Sequence, residues 1–202
     1  MPRKSYYKTF FNHKNTNVMK RILLIPALAL ATIAGNTTAT YAQNTVMVGG
    51  AAMYPQKNIV ENAMNSKDHT TLVAAVKAAG LVPTLESDGP FTVFAPTNEA
   101  FNKLPSSTVD NLLKPENKAT LTSVLTYHVV AGKLDSKALM DKVKMGGGMA
   151  ELTTVQGEKL TVMQKGKHLE VKDSKGGIAM VTIKDVYQKN GVIHVVDKVL
   201  MP

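Results

Sequence analysis

The sequence predicts an α+β domain, with short helices in its first half and strands in its second. Three observations carry this. Apolar residues recur at helical spacing between residues 57 and 143. From Ala150 onward the period changes, and short apolar runs are separated by Gly-containing turn dipeptides. Between the two halves lies Phe91 to Phe101, FTVFAPTNEAF, an alternating strand that passes through a proline into a helix start.

The chain opens on a leader. Lys20 and Arg21 precede an apolar run from Ile22 to Ala34, and a small polar stretch follows to Thr40, Tyr41 and Ala42. These are the three regions of a secretory signal peptide in order, with cleavage expected after Ala42. The run is too short for a membrane span, so no stable span is expected once it is removed. Residues 1–18 add a basic, acid-free extension, and both Met1 and Met19 are candidate starts.

Charge belongs largely to that leader. The chain holds 24 Lys and Arg against 15 acids, a formal +9; residues 1–42 carry six of the basic residues and no acid, which leaves +3 for the rest. Beyond residue 42 every cation is a lysine, and the lack of arginine removes the side chain best suited to bidentate phosphate or base-edge contacts. No nucleic-acid partner is expected. With no cysteine, the secreted chain must fold on its apolar core alone, and about 160 residues suffice for one domain.

Residues 43–56 are small and weakly patterned, a lead-in, and the domain is expected over 57–202. Pro55 and Lys57 open a helix with Ile59, Val60, Ala63 and Met64 on one face. Ser66 or Asp68 caps a second, with Leu72, Val73, Val76 and Ala79 as its stripe and Gly80, Leu81 and Pro83 as its stop. In the Phe91 strand, Phe91 and Val93 share one face and Thr92 and Phe94 the other. Thr97 or Asn98 then caps the next helix, with Glu99 near its positive end.

Pro105 and Ser106 begin a short helix through Leu112 and Leu113, and Pro115 fits the first turn of another. There Leu121, Val124, Leu125 and His128 fall on one stripe, which places His128 as a buried, hydrogen-bonded residue where the helix passes into Val129 and Val130. Gly132 turns the chain, and Ser136–Val143 is one more helix. Strands follow at Leu152–Val155, Leu160–Met163, His168–Val171, Ile178–Ile183 and Val192–Val196, an antiparallel meander. The last is apolar on both faces, which predicts a central position.

FTVFAPTNEAF, the Tyr127-His128 pair in LTYHVVAGKL, and NGVIHVVDKVLMP occur in an order and spacing that closely resemble the two signature boxes and the tyrosine-histidine motif of the fasciclin domain family. The resemblance covers about residues 57–202. It implies a wedge of two mostly antiparallel β-sheets flanked by several short helices, in secreted or periplasmic proteins that mediate adhesion to a cell-surface or matrix component, protein or glycan. It also implies that Thr97, Asn98, Phe101, His128, Gly191 and His194 define the fold before they contact any ligand. Some animal members of the family bind integrins through an Asp-Ile pair just before the second box and through segments around the tyrosine-histidine pair. The resemblance therefore makes Asp185, Val186, Tyr187 and Tyr127 the candidate contacts. Ile183 and Lys184 stand where the animal motif has an acid and a proline, and Val186 and Tyr187 replace its last two residues, so the integrin motif itself is not kept.

The chain holds no G-x-S-x-G elbow, H-E-x-x-H motif, P-loop or C-x-x-C pair, so no catalytic residue and no cofactor is expected. Met145 and Met149, flanking three glycines with Met140 nearby, carry the soft thioethers that suit Cu(I), but methionines more often fill core gaps and no metal site is assigned. The expected function is a noncatalytic adhesion or matrix-interaction module. The alternative is a periplasmic binding protein for a small hydrophobic, haem or metal-containing ligand.

Overall fold

The structure, a computed structural model, describes residues 45–202. The expected signal peptide, its cleavage point and both candidate starts lie outside the described residues. The stretch expected to be a lead-in is a hairpin. β1 (Val46–Val48) and β2 (Ala51–Met53) pair antiparallel around Gly49 and Gly50, both at positive φ, and bury Val48 and Met53 in the core.

Helices come next. Asn58 caps α1 (Ile59–Ala63) in a capping box with Glu61. Ser66 caps a single 3₁₀ turn, Lys67–His69, that leads into α2 (Thr70–Ala79), and Gly80 ends α2 in the left-handed region. Leu81 and Pro83 do not stop helical structure there: Pro83 sits in the first turn of a further short helix, α3 (Val82–Glu86). The strand β3 (Phe91–Pro96) leads to α4 (Asn98–Asn102), capped by Thr97, and then to α5 (Ser106–Leu112) and α6 (Lys118–Tyr127). A short strand β4 (Val129–Ala131) precedes α7 (Ser136–Met145), capped by Asp135.

The second half is the expected meander: β5 (Met149–Thr153), β6 (Lys159–Lys165), β7 (His168–Lys172), β8 (Ile178–Gln188) and β9 (Gly191–Val196), each antiparallel to the next. β3 enters it parallel to β9, with Phe91 opposite Gly191 and Phe94 opposite His194, and gives the order β4-β3-β9-β8-β7-β6-β5. β8 is the fold line of this sheet. Its first residues pair with β7, and Val181 to Gln188 pair with β9 through register shifts on either side of Ile183. The two ends of the sheet also meet, because Val155 N–H donates to the Val129 carbonyl at 2.7 Å and Val130 bridges Thr154. The result is a mixed α+β fold with a sheet bent almost into a barrel.

Alternation along the two central strands divides the core. Val93, Ala95, Ile193 and Val195 pack outward against α1, α2 and α6, while Phe94 and Val196 point inside the bent sheet with Leu160, Val162 and Val171, closed by Leu139 and Val143 of α7. All six residues of β9 are buried, as its two-faced apolarity predicts. The four ion pairs of the described residues use lysines at least half exposed, where water and salt screen the charges, and they add little. Cohesion therefore rests on the two cores, where a single buried large side chain such as Phe94 is worth roughly 1.5–3 kcal/mol.

Candidate functional site

The polar side chains of the signature stretches gather at two internal junctions. The first lies at the end of α6. Tyr127 is fully buried; its hydroxyl donates to the Lys159 carbonyl and accepts the Ser174 N–H, both at 2.9 Å. His128, next along, accepts the Leu200 N–H on Nε2 at 2.9 Å, so the proton is on Nδ1, which donates to the Val124 carbonyl at 2.8 Å. Asp173 completes the junction by accepting from Gly177 N at 2.6 Å and Met201 N at 3.1 Å. One tyrosine and one histidine thus fasten α6 to the β7–β8 turn and to the last residues of the chain. Burial holds the His128 ring well below its ordinary range, at about 4, against the opposing pull of the Val124 carbonyl and the Asp173 charge.

The second junction lies where β8 bulges. Asp185 is the one non-glycine residue at positive φ among the described residues, at 61°. Its carboxylate accepts the Ser136 N–H at 2.6 Å and the Ser136 hydroxyl, at the start of α7. His194, buried on β9, accepts the Asp185 N–H on Nδ1 at 3.4 Å and donates from Nε2 to the Leu134 carbonyl at 2.9 Å, and its ring stacks on Phe94 with centroids 5.8 Å apart. Burial lowers its pKa too, opposed by the Leu134 carbonyl and the charges of Asp185 and Asp135. Thr92 adds a third tie, donating to Gly132 O at 2.6 Å and accepting from Leu134 N at 2.8 Å.

Ser136, Asp185 and His194 therefore stand together without forming a nucleophile relay. The serine hydroxyl donates to the carboxylate rather than to the ring, and both ring nitrogens are engaged by backbone groups. Among the described residues no three His, Asp or Glu side chains converge in a way that would hold a metal ion. Met145 and Met149 are exposed, and Met140 packs against the inner core instead of joining them.

Two of the four expected contact residues are corrected by their burial. Tyr127 and Val186 are core residues, 0% and 1% exposed, and neither offers its side chain to a partner. Asp185 is partly buried and spends both carboxylate oxygens on Ser136. Tyr187 is the member that reaches the surface. Its ring lies 5.0 Å under the Lys133 ammonium, its hydroxyl is 3.4 Å from Asp135 Oδ2, and burial followed by the Asp185 and Asp135 charges raises its pKa.

The first box holds its own corner. Thr97 accepts the Ala100 N–H at 3.2 Å, and Phe101 is buried in the outer core. Asn98 reaches back past α3 to the start of α2: its Oδ1 accepts Thr71 N–H at 3.0 Å and its Nδ2 donates to Lys67 O at 2.9 Å. Gly191 lets β3 and β9 approach, since a Cβ there would lie 2.1 Å from the Phe91 carbonyl oxygen. Sequence reasoning missed Asn190 and Asn62. Asn190 is buried, donates to Leu85 and Ser87 carbonyls at 2.8 Å and accepts Ile59 N–H at 3.1 Å; its pairing with Gly191 reads only as a turn. Asn62 ties Tyr54 to Gln188, and nothing in its helical neighbourhood signals this.

The Fasciclin domain model matches residues 67–202. Protein sll1483 of Synechocystis is 44% identical over 178 residues, which cover 87% of this chain and 90% of that one. Immunogenic protein MPB70 of Mycobacterium bovis is 36% identical over 187 residues, 90% of this chain and 88% of the relative. Among solved structures, a domain pair from the insect cell adhesion molecule fasciclin I superposes with a TM-score of 0.66 over 80% of this chain and 59% of that one, at 18% identity, a likeness of fold. With its boxes fastened to one another and relatives matched over nearly their whole length, the chain belongs to the fasciclin domain family.

Proposed function

We propose that the chain is a noncatalytic interaction module, secreted or periplasmic, that engages a cell-surface or matrix component through the exposed face around Tyr187. The observation that carries this reading is the inward use of the motif residues. Tyr127, His128, Asp185 and His194 spend their polar atoms on backbone groups or on Ser136, which leaves no free acid–base pair, whereas Tyr187 and Lys133 sit side by side at the surface where β8 meets α7. The Tyr187 ring on β8 and the Lys133 ammonium on the β4–α7 loop rest against each other, a contact that is already formed before binding. Family membership supports the reading, as does the likeness to a cell adhesion molecule. The signal-peptide pattern supports the address. Among the described residues no helix is long and apolar enough to cross a membrane.

The test is binding of the labelled protein to washed cells and extracellular matrix of the producing organism across a salt series. Saturable binding that survives salt supports a specific surface; binding that vanishes with salt reduces the interaction to lysine electrostatics and contradicts the proposal.

Of the alternative ligands, a haem or metal centre at His128 or His194 would need a free ring nitrogen that neither ring offers. A small hydrophobic ligand is favoured by a separate observation, the apolar cavity under α2.

A further inference from the structure

Between the helices α1, α2, α3 and α6 and the outward faces of β3 and β9 lies an apolar cavity of about 60 Å³. Leu72, Val76, Leu85, Val93, Leu125 and Ile193 are representative of its wall. A water molecule needs roughly 10–15 Å³ on this scale and two to four polar partners. The space is thus sufficient for about four to six water-sized groups, yet the interior offers water almost nothing to bond. Thr126 gives its hydroxyl to the Thr122 carbonyl at 2.7 Å, and the two nitrogens of His128 are both engaged. Left empty, such a space forfeits dispersion contacts on every side. An occupant made of methylene groups restores them.

The charge at the rim selects the occupant's head. Lys77, exposed on the last turn of α2, borders the cavity, and among the described residues it forms no salt bridge. No acidic side chain lines the cavity. We propose that this cavity binds a medium-chain carboxylate, the last about four to six carbons of its alkyl chain among the leucines and valines between the helices and β3 and the rest leading out to a carboxylate at Lys77 on the rim. The rim cation and the dry interior then meet the two ends of one amphiphile. This inference is independent of the adhesion reading, since Tyr187 and Lys133 are not among the residues that line the cavity.

The experiment is a titration of the full chain with octanoate, followed by ¹³C-methyl NMR, with octylammonium as the like-shaped cation. The expected result is saturable shifts at the methyls of Val76 and Leu125, with octanoate at least tenfold tighter than octylammonium. Lys77→Glu, on an exposed position, is expected to reverse that order. Val73→Phe places a ring in the cavity and is expected to abolish both titrations while circular dichroism keeps the folded spectrum. Absence of methyl shifts at saturating octanoate, equal affinity for the two head groups, or undiminished octanoate binding by Lys77→Glu would each overturn the proposal.

Discussion

The His128 ring and the Leu200 backbone, 72 residues apart, are joined by one hydrogen bond of 2.9 Å, from the Leu200 N–H to Nε2. That bond requires a neutral ring with its proton on Nδ1, and it fixes the end of the chain against α6.

Stability is expected to fall with acid. A folded pKa near 4 against an ordinary 6.5 means that, as pH drops below about 6.5, the unfolded ring takes up a proton that the folded ring refuses until about pH 4. The contribution is full above pH 6.5 and is lost on the way down, by roughly 3 kcal/mol for His128 alone. His69 and His194, both lowered chiefly by burial, act in the same direction. Urea midpoints measured from pH 7 to pH 4 check this, and His128→Ala is expected to start about 1–3 kcal/mol lower and to show a shallower pH slope.

Tyr127→Phe removes only a hydroxyl, yet it leaves the Lys159 carbonyl and the Ser174 N–H without their partner. The expected loss is about 1–3 kcal/mol by equilibrium denaturation. An unchanged midpoint would show that water replaces the phenol and that the junction is open.

Asp185→Ala is expected to destabilise the fold by about 2 kcal/mol, because the Ser136 N–H and hydroxyl at the start of α7 lose their acceptor. Asp185→Asn keeps one acceptor oxygen and is expected to cost less. Hydrogen exchange at the Ser136 amide separates the two, with faster exchange in the alanine variant.

Gly191→Ala forces a Cβ against the Phe91 carbonyl oxygen in the parallel β3–β9 pairing. Overpacking between two central strands is expected to cost about 3 kcal/mol or more, read as loss of soluble folded protein or of the cooperative melt.

Local chemistry accounts for what was legible in the sequence. Thr97 caps its own helix, Gly80 ends α2 and the Gly-containing turns set the meander, all interactions within a few residues. What escaped depends on distant segments. Asn98 caps a helix 27 residues earlier, and Asn190 joins α1 to the end of α3, so neither has a sequence period. β3 lies parallel to β9 across about a hundred residues, a pairing that alternation alone does not specify. Asp185 to Tyr187 fall beyond the strand expected at Ile178–Ile183, but β8 continues through them with a bulge, which turns Val186 inward and leaves Tyr187 part-exposed. The β1–β2 hairpin was hidden by its small residues and shortness.

The measurement that tests the account most directly is surface binding and denaturation of Tyr187→Ala side by side. A contact face at Tyr187 predicts a binding loss of about 1–2 kcal/mol, roughly five- to thirtyfold in affinity, with the fold retained and the denaturation midpoint lowered only by the loss of the Lys133 and Asp135 contacts. Binding equal to that of the unaltered protein would contradict a contact face at Tyr187.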